Sequence, residues 1–169
     1  MEVLEFGCGT GSTAIVHAPY VKHVEAIDIS SKMIEIAQGK ADAKNIENVT
    51  FQRSTIDEFS VPDQTFDAVL GFSTLHLLEN KGEVIVRVHK MLRPGGIFVT
   101  STACIRDMWF FNSFFKIVAP IGKFLGLLPL LKVFTTRELK DRLIDAGFEI
   151  YYQGRPGKNK RSVYCSEEG

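Results

Sequence analysis

Cysteine, tryptophan and net charge are all scarce in this chain of 169 residues. It has three cysteines (Cys8, Cys104 and Cys165) and one tryptophan. The cysteines lie far apart, without the paired spacing of a zinc site or the even-numbered framework of a disulfide-stapled domain. No signal peptide is evident, and together these features lead us to expect a reducing, cytoplasmic setting. Twenty basic residues balance twenty acidic ones. That balance offers no electrostatic footprint for nucleic acid, and no nucleic-acid-binding motif accompanies it. No apolar run reaches the ~18–20 residues that a membrane-spanning helix needs. The length suits a single domain able to bury a real core.

Glycine, by contrast, is concentrated near the N-terminus. Residues 3–11 read Val-Leu-Glu-Phe-Gly-Cys-Gly-Thr-Gly, so Gly7, Gly9 and Gly11 follow a short apolar run and precede a helix-compatible stretch at 12–18. This predicts a strand, a tight turn whose backbone approaches a ligand closely, and a helix start. A dinucleotide fingerprint would place its third glycine at the position of Ser12, and a phosphate-binding loop would need Gly-Lys-Ser/Thr; neither is present. Asp28, about 20 residues past the loop, stands at the end of a second predicted strand. A carboxylate there can accept both hydroxyls of a ribose and disfavours a 2′-phosphate.

Further along, strands are expected at 3–6, 23–28, 49–53, 66–71 and 97–101. Helices should occupy 12–18, the stretch capped at Ile29-Ser30-Ser31 and running to about 43, and 83–91. Asp63-Gln64-Thr65 reads as a turn, and Arg93-Pro94-Gly95-Gly96 as a helix stop. Strand–helix alternation of this kind implies a parallel, doubly wound sheet. A helix at 135–146 ends on Gly147. The strands at 148–153 and 162–166 follow, joined by a loop too short for a helical crossover, hence an antiparallel hairpin.

Four blocks, in order and at plausible spacing, resemble class I S-adenosylmethionine-dependent methyltransferases of the small-molecule group that includes quinone-biosynthesis enzymes (methyltransferase type 11). They are Glu5-Phe-Gly-Cys-Gly-Thr-Gly11, Ala26-Ile-Asp-Ile-Ser30 with Met33, Phe66-Asp-Ala-Val-Leu70 followed by His76, and Leu92-Arg-Pro-Gly-Gly-Ile-Phe98. The resemblance implies an α/β, Rossmann-like three-layer sandwich with a seven-stranded, mostly parallel sheet whose last strand is antiparallel. It implies S-adenosyl-L-methionine as cofactor and no metal. Gly7, Cys8, Gly9 and Gly11 would bring backbone against the methionine part, with Glu5 near its amino end. Asp28 would hold the ribose, and Ile29 and Met33 would pack on the adenine. Thr55, followed by Ile56, occupies the position where the family usually has an acid for the adenine amino group, and Asp57 is a substitute. Gly71 and Phe72 would border the transferring methyl.

Methyl transfer from a sulfonium is an in-line displacement, so alignment in a dry pocket can supply about 7–11 kcal/mol of the barrier reduction. A base is needed only where the acceptor must lose a proton. His76, just past strand four, is the candidate catalytic residue; the alternative is a hydrogen-bonded histidine that shapes the pocket. The acceptor is expected to be small and apolar or aromatic. Residues 105–134 form a hydrophobic insert within the single domain 1–169. Trp109, Phe110, Phe111, Phe114 and Phe115 suit a lid over such an acceptor, plain core packing, or a membrane-surface helix within 108–134 carrying Lys116 and Lys123. Arg155, Lys158, Lys160 and Arg161 read as a solvated turn. Because family members usually carry one or two helices ahead of the first strand, the chain is expected to lack a cap or to be a fragment. An S-adenosylmethionine-binding protein of little activity is therefore an alternative. An NAD-dependent oxidoreductase is a weaker one, disfavoured by Ser12 and by the closing hairpin.

Overall fold

A computed structural model describes residues 1–78, 80–103, 136–154 and 161–168. Among them, seven strands form one sheet in the order β3-β2-β1-β4-β5-β7-β6. The strands are β1 (Glu2–Phe6), β2 (His23–Asp28), β3 (Val49–Arg53), β4 (Phe66–Phe72), β5 (Leu92–Ala103), β6 (Phe148–Gly154) and β7 (Arg161–Glu168). The helices are α1 (Ser12–His17), α2 (Ser31–Asp42), α3 (Lys81–Met91) and α4 (Thr136–Asp145). Strands β1 to β5 pair in parallel. Strand β7 lies antiparallel between β5 and β6, as a closing hairpin requires. The expected Rossmann-like α/β architecture is present.

Two features depart from the expected boundaries. Pro19 stops α1 at His17, and the chain continues as a 3-10 turn, Ala18–Tyr20. Strand β5 begins immediately after α3 rather than at Ile97. Leu92 pairs with Phe66, the next four residues bulge, and pairing resumes at Ile97 opposite Ala68. Gly95 turns the bulge at φ +76°, and Arg93 Nη1 pins it to Asp67 Oδ1 at 2.7 Å.

Alternation along the central strands sends side chains into two unlike cores. Leu4, Phe6, Ile27, Val69 and Phe98 pack with residues of α3 and α4, among them Ile85, Val88, Leu139 and Leu143. Phe59, Phe66 and Phe148 join this large-residue layer. The opposite face is small: Val3, Val24, Ala26 and Ala68 meet Ala14 of α1 and Ala18 just after it. Helix α2 buries Ala37 and Ala41 completely. Alanines let a helix approach a sheet closely, and this draws α2 against the loop that follows β1. The insert at 105–134, with its expected lid or membrane-surface role, and the loop residues Arg155, Lys158 and Lys160 lie outside the described residues.

Candidate functional site

In an open parallel sheet, ligands settle at the carboxyl ends of the strands where the strand order reverses. Here that reversal falls between β1 and β4, and the glycine loop leaves β1 at this point. Gly7, Gly9 and Gly11 all take left-handed backbone, with φ of +67°, +54° and +69°. Their surroundings differ. A Cβ on Gly7 would overlap the Thr74 side chain, and one on Gly11 would lie 2.6 Å from the Phe51 ring and 2.8 Å from Ala37 Cβ. A Cβ on Gly9 would meet nothing within 4 Å. Gly7 and Gly11 therefore serve the packing of the loop, while Gly9 opens onto space that a ligand can fill.

Asp28 ties this loop to the next element. Its Oδ2 accepts from the Gly9 N–H at 2.9 Å and its Oδ1 from the Ser30 N–H at 2.9 Å. The Cys8 N–H donates to Ile27 O at 3.0 Å, and the Gly11 N–H to Cys8 O at 3.0 Å. A carboxylate offers about four acceptor positions, so two backbone bonds leave capacity for ribose hydroxyls. Ser30 caps α2, its Oγ accepting from the Met33 N–H at 3.4 Å. Ile29 is 68% exposed and Met33 38% exposed. Both stand beside Asp28 as apolar surface that a flat ring could cover.

Glu5 is almost fully buried beneath the loop, at 3% exposure. It accepts hydrogen bonds from the Thr13 side chain and the Ala14 backbone. Its Oε2 has no hydrogen-bond partner. Burial, the dominant cause, pushes the Glu5 carboxyl up to about 7 from an ordinary 4.5. The folded state therefore holds this proton more tightly than the unfolded chain does. The stabilising contribution is complete below about pH 4.5, falls as pH rises and levels off above about 7, a swing of about 3 kcal/mol. Glu5→Gln should remove that slope, so the variant should melt above wild type at pH 8 and close to it at pH 5. Thermal melts across this range check the sign. Cys8 is also buried, and burial followed by the Glu5 and Asp28 charges pushes its thiol up to about 12. It stays protonated and supplies no thiolate nucleophile.

The remaining expected residues divide. Thr55 caps the turn after β3: its hydroxyl accepts from the Glu58 N–H at 3.1 Å and donates to Glu58 Oε2 at 3.1 Å. Both bonds of the Thr55 hydroxyl are thus made within the turn, to Glu58. Ile56 differs from its expected place. Its side chain is 3% exposed and belongs to the core that holds Ile27 and Phe59, so it presents no surface to an adenine. Asp57 is exposed. Gly71 is buried; a Cβ there would overlap the Phe6 ring, and its carbonyl accepts from Thr100 Oγ1 at 3.0 Å. Its missing side chain makes room for Phe6. Phe72 is half-buried at the end of β4.

Past β4, Ser73 adopts φ +56°, and its N–H donates to Ser101 O at 2.7 Å. Left-handed backbone in a non-glycine residue costs of order 1 kcal/mol and is held here by the neighbouring strand. It aims Thr74 at Gly7, joining the two loops across the strand reversal. His76 follows in a half-buried 3-10 turn, Leu75–Leu77, anchored by the fully buried Leu75. Ser73 and Thr74 were not singled out from the sequence, because nothing in Phe-Ser-Thr-Leu announces a left-handed serine.

A cavity of about 460 Å³ lies elsewhere, at the opposite, amino ends of the strands. Glu2, His23, Glu25, Phe59, Phe66 and Arg93 are among its walls. Its charges satisfy one another: Lys22 meets Glu2 at 2.7 Å, His23 meets Glu25 at 3.3 Å and Arg93 meets Asp67 at 2.7 Å. Neither the glycine loop nor Asp28 lines it. Among the described residues, no helix is long and apolar enough to cross a membrane.

Comparison with known proteins agrees with this geometry. A family model described as a methyltransferase domain matches residues 1–124. The uncharacterized methyltransferase YcgJ of Bacillus subtilis is 32% identical over 97 residues, 57% of this chain and 38% of that protein. The demethylmenaquinone methyltransferase of Listeria welshimeri is 30% identical over 135 residues, 72% of this chain and 55% of that protein. The chain thus spans about half the length, or less, of these relatives. In fold it matches an S-adenosylmethionine-dependent methyltransferase from Methanosarcina mazei with a TM-score of 0.80 at 22% identity, over 99% of this chain and 92% of that one. The matched segment includes β1, the glycine loop and all strands to β5, and by it the chain belongs to the methyltransferase-domain family.

Proposed function

We propose that this chain binds S-adenosylmethionine at the carboxyl edge of β1 and β2 and directs its methyl group to a small, apolar or aromatic acceptor in the cytoplasm. The observation that carries the reading is Asp28, bonded at once to the Gly9 N–H and to the capped start of α2. The residues fit the cofactor. Gly9 leaves open room at the loop, Asp28 retains acceptor capacity for the ribose, and Ile29 and Met33 offer apolar cover for the adenine. Glu5 lies beneath the methionine end with one oxygen still to be satisfied.

The cofactor supplies an activated methyl on a sulfonium, which any aligned nucleophile can attack. The chain's part is to hold the two reactants in line and keep water out. Gly71 and Phe72 border the reaction space, and His76 takes a proton where the acceptor must lose one. Demethylmenaquinone, the acceptor of the Listeria relative by its name, supports an apolar acceptor here.

Calorimetric titration with S-adenosylmethionine, S-adenosylhomocysteine and NAD tests the reading. Binding of the two sulfur ligands without NAD supports it, and binding of NAD alone would overturn it. Sulfur-ligand binding with no turnover on a panel of quinols, phenols and amines would reduce the function to cofactor binding.

A further inference from the structure

One side chain outside the expected site reaches into the glycine loop from a distant part of the sequence. Lys40 stands near the C-terminal end of α2, some 28 to 30 positions from the loop residues it touches. Its Nζ lies 2.7 Å from Thr10 Oγ1, 3.1 Å from Thr10 O and 3.3 Å from Ser12 Oγ. An ammonium has three hydrogens to donate, and here three loop oxygens receive them. Thr10 sits between Gly9 and Gly11, both left-handed, where the backbone has the fewest constraints of its own. A trans peptide points its C=O and the following N–H in opposite directions. Holding the Thr10 carbonyl on Lys40 therefore sends the Gly11 N–H back to Cys8 O, where it bonds at 3.0 Å.

The same helix begins at the adenosine side, where Ser30 caps it beside Asp28, Ile29 and Met33. Lys40 lies nine residues after Ser31, about 13 Å along the axis. Helix α2 thus touches both halves of the proposed cofactor site: its N-terminus touches the ribose and adenine side, and Lys40 the loop for the methionine side. The alanines Ala37 and Ala41 bring the helix near enough for this reach.

We propose that Lys40 is a positioning residue that locks the Thr10 segment of the glycine loop against α2, so that recognition of the methionine half of S-adenosylmethionine depends on it and recognition of the adenosine half does not. This rests on the cofactor reading above. The test is calorimetric titration of wild type, Lys40→Met, Lys40→Gln and Lys40→Arg with two ligands. S-adenosylhomocysteine carries the amino-acid moiety, and 5′-methylthioadenosine lacks it. In Lys40→Met and Lys40→Gln, affinity for S-adenosylhomocysteine should fall about ten- to hundredfold, the usual effect of losing hydrogen bonds from a charged donor. Affinity for 5′-methylthioadenosine should stay within about twofold. Lys40→Arg, which keeps charge and donors, should recover most of the loss.

Equal losses on both ligands, or no loss on either, would overturn the role of Lys40. A wild-type chain that binds neither ligand would instead overturn the cofactor reading itself. The ratio of the two affinities separates positioning from general destabilisation, because a loosened fold weakens both ligands together. If Lys40→Met does not fold, Lys40→Gln and Lys40→Arg carry the comparison.

Discussion

Asp28→Ala should lower affinity for S-adenosylmethionine about a thousandfold and also destabilise the free protein. The carboxylate stands at a junction: Oδ2 holds the Gly9 N–H and Oδ1 the Ser30 N–H, each at 2.9 Å. Hydrogen bonds with a charged partner are each worth about 1.5–3 kcal/mol. Removing both frees the glycine loop and the start of α2 together, so the ligand must then order what the fold had already arranged. The proposed ribose contacts are lost as well. We expect about 3–6 kcal/mol of destabilisation from the two released backbone bonds and about 4 kcal/mol from lost binding. Asp28→Asn is the sharper probe, since its one carbonyl oxygen can keep a single backbone bond. It should restore most of the thermal stability and little of the affinity. Urea unfolding and calorimetry on both variants check the split. A stable Asp28→Ala that binds at wild-type strength would remove Asp28 from the site.

Gly11→Ala should be far more destabilising than the same substitution at Gly9. The new Cβ would need left-handed backbone at φ +69° and would lie 2.6 Å from Phe51 and 2.8 Å from Ala37 Cβ. The conformation costs about 1–2 kcal/mol and the overlap about 1–3 kcal/mol more. Against a total stability of about 5–15 kcal/mol, the melting temperature should drop by roughly 10 °C. Gly9→Ala provides the control. It carries the same conformational cost at φ +54° but meets no atom within 4 Å, so its melting temperature should fall by only a few degrees. Its methyl would enter the space assigned to the ligand, and binding should suffer far more than stability does. If Gly9→Ala binds normally, the ligand does not lie over Gly9.

The fold was legible in the sequence where the signals are local. Strands β2 and β3 follow from short apolar runs bounded by polar turns, α2 from the Ser30 cap, and the β6–β7 pair from a connection too short to cross over. For β5 the sequence predicts a start only at Ile97, because Arg93-Pro-Gly-Gly resembles a plain helix stop. Only the pairing of Leu92 with Phe66 makes it a bulge inside a strand. The candidate site was partly legible for the same reason. Three alternate glycines and a carboxylate about 20 residues later announce a loop and its partner. The resemblance gives Thr55, Ile56 and Gly71 their roles by position in a motif, whereas their surroundings, a turn closed by Glu58, the core beneath the sheet and the Phe6 ring, come from the folded chain.

The sequence by itself determined the order of strands and helices along the chain, the tight glycine loop and the family, because each is encoded in residues close together along the chain. It treated Gly7, Gly9 and Gly11 as equivalents. The tertiary structure separated them: Thr74 closes on the first, Phe51 and Ala37 close on the third, and the second alone faces open space. It also brought Lys40 onto Thr10 from the far end of α2. No local pattern carries that information. Which atoms surround a glycine, and which ammonium reaches a loop, depends on helices and strands distant in sequence packing at one sheet edge.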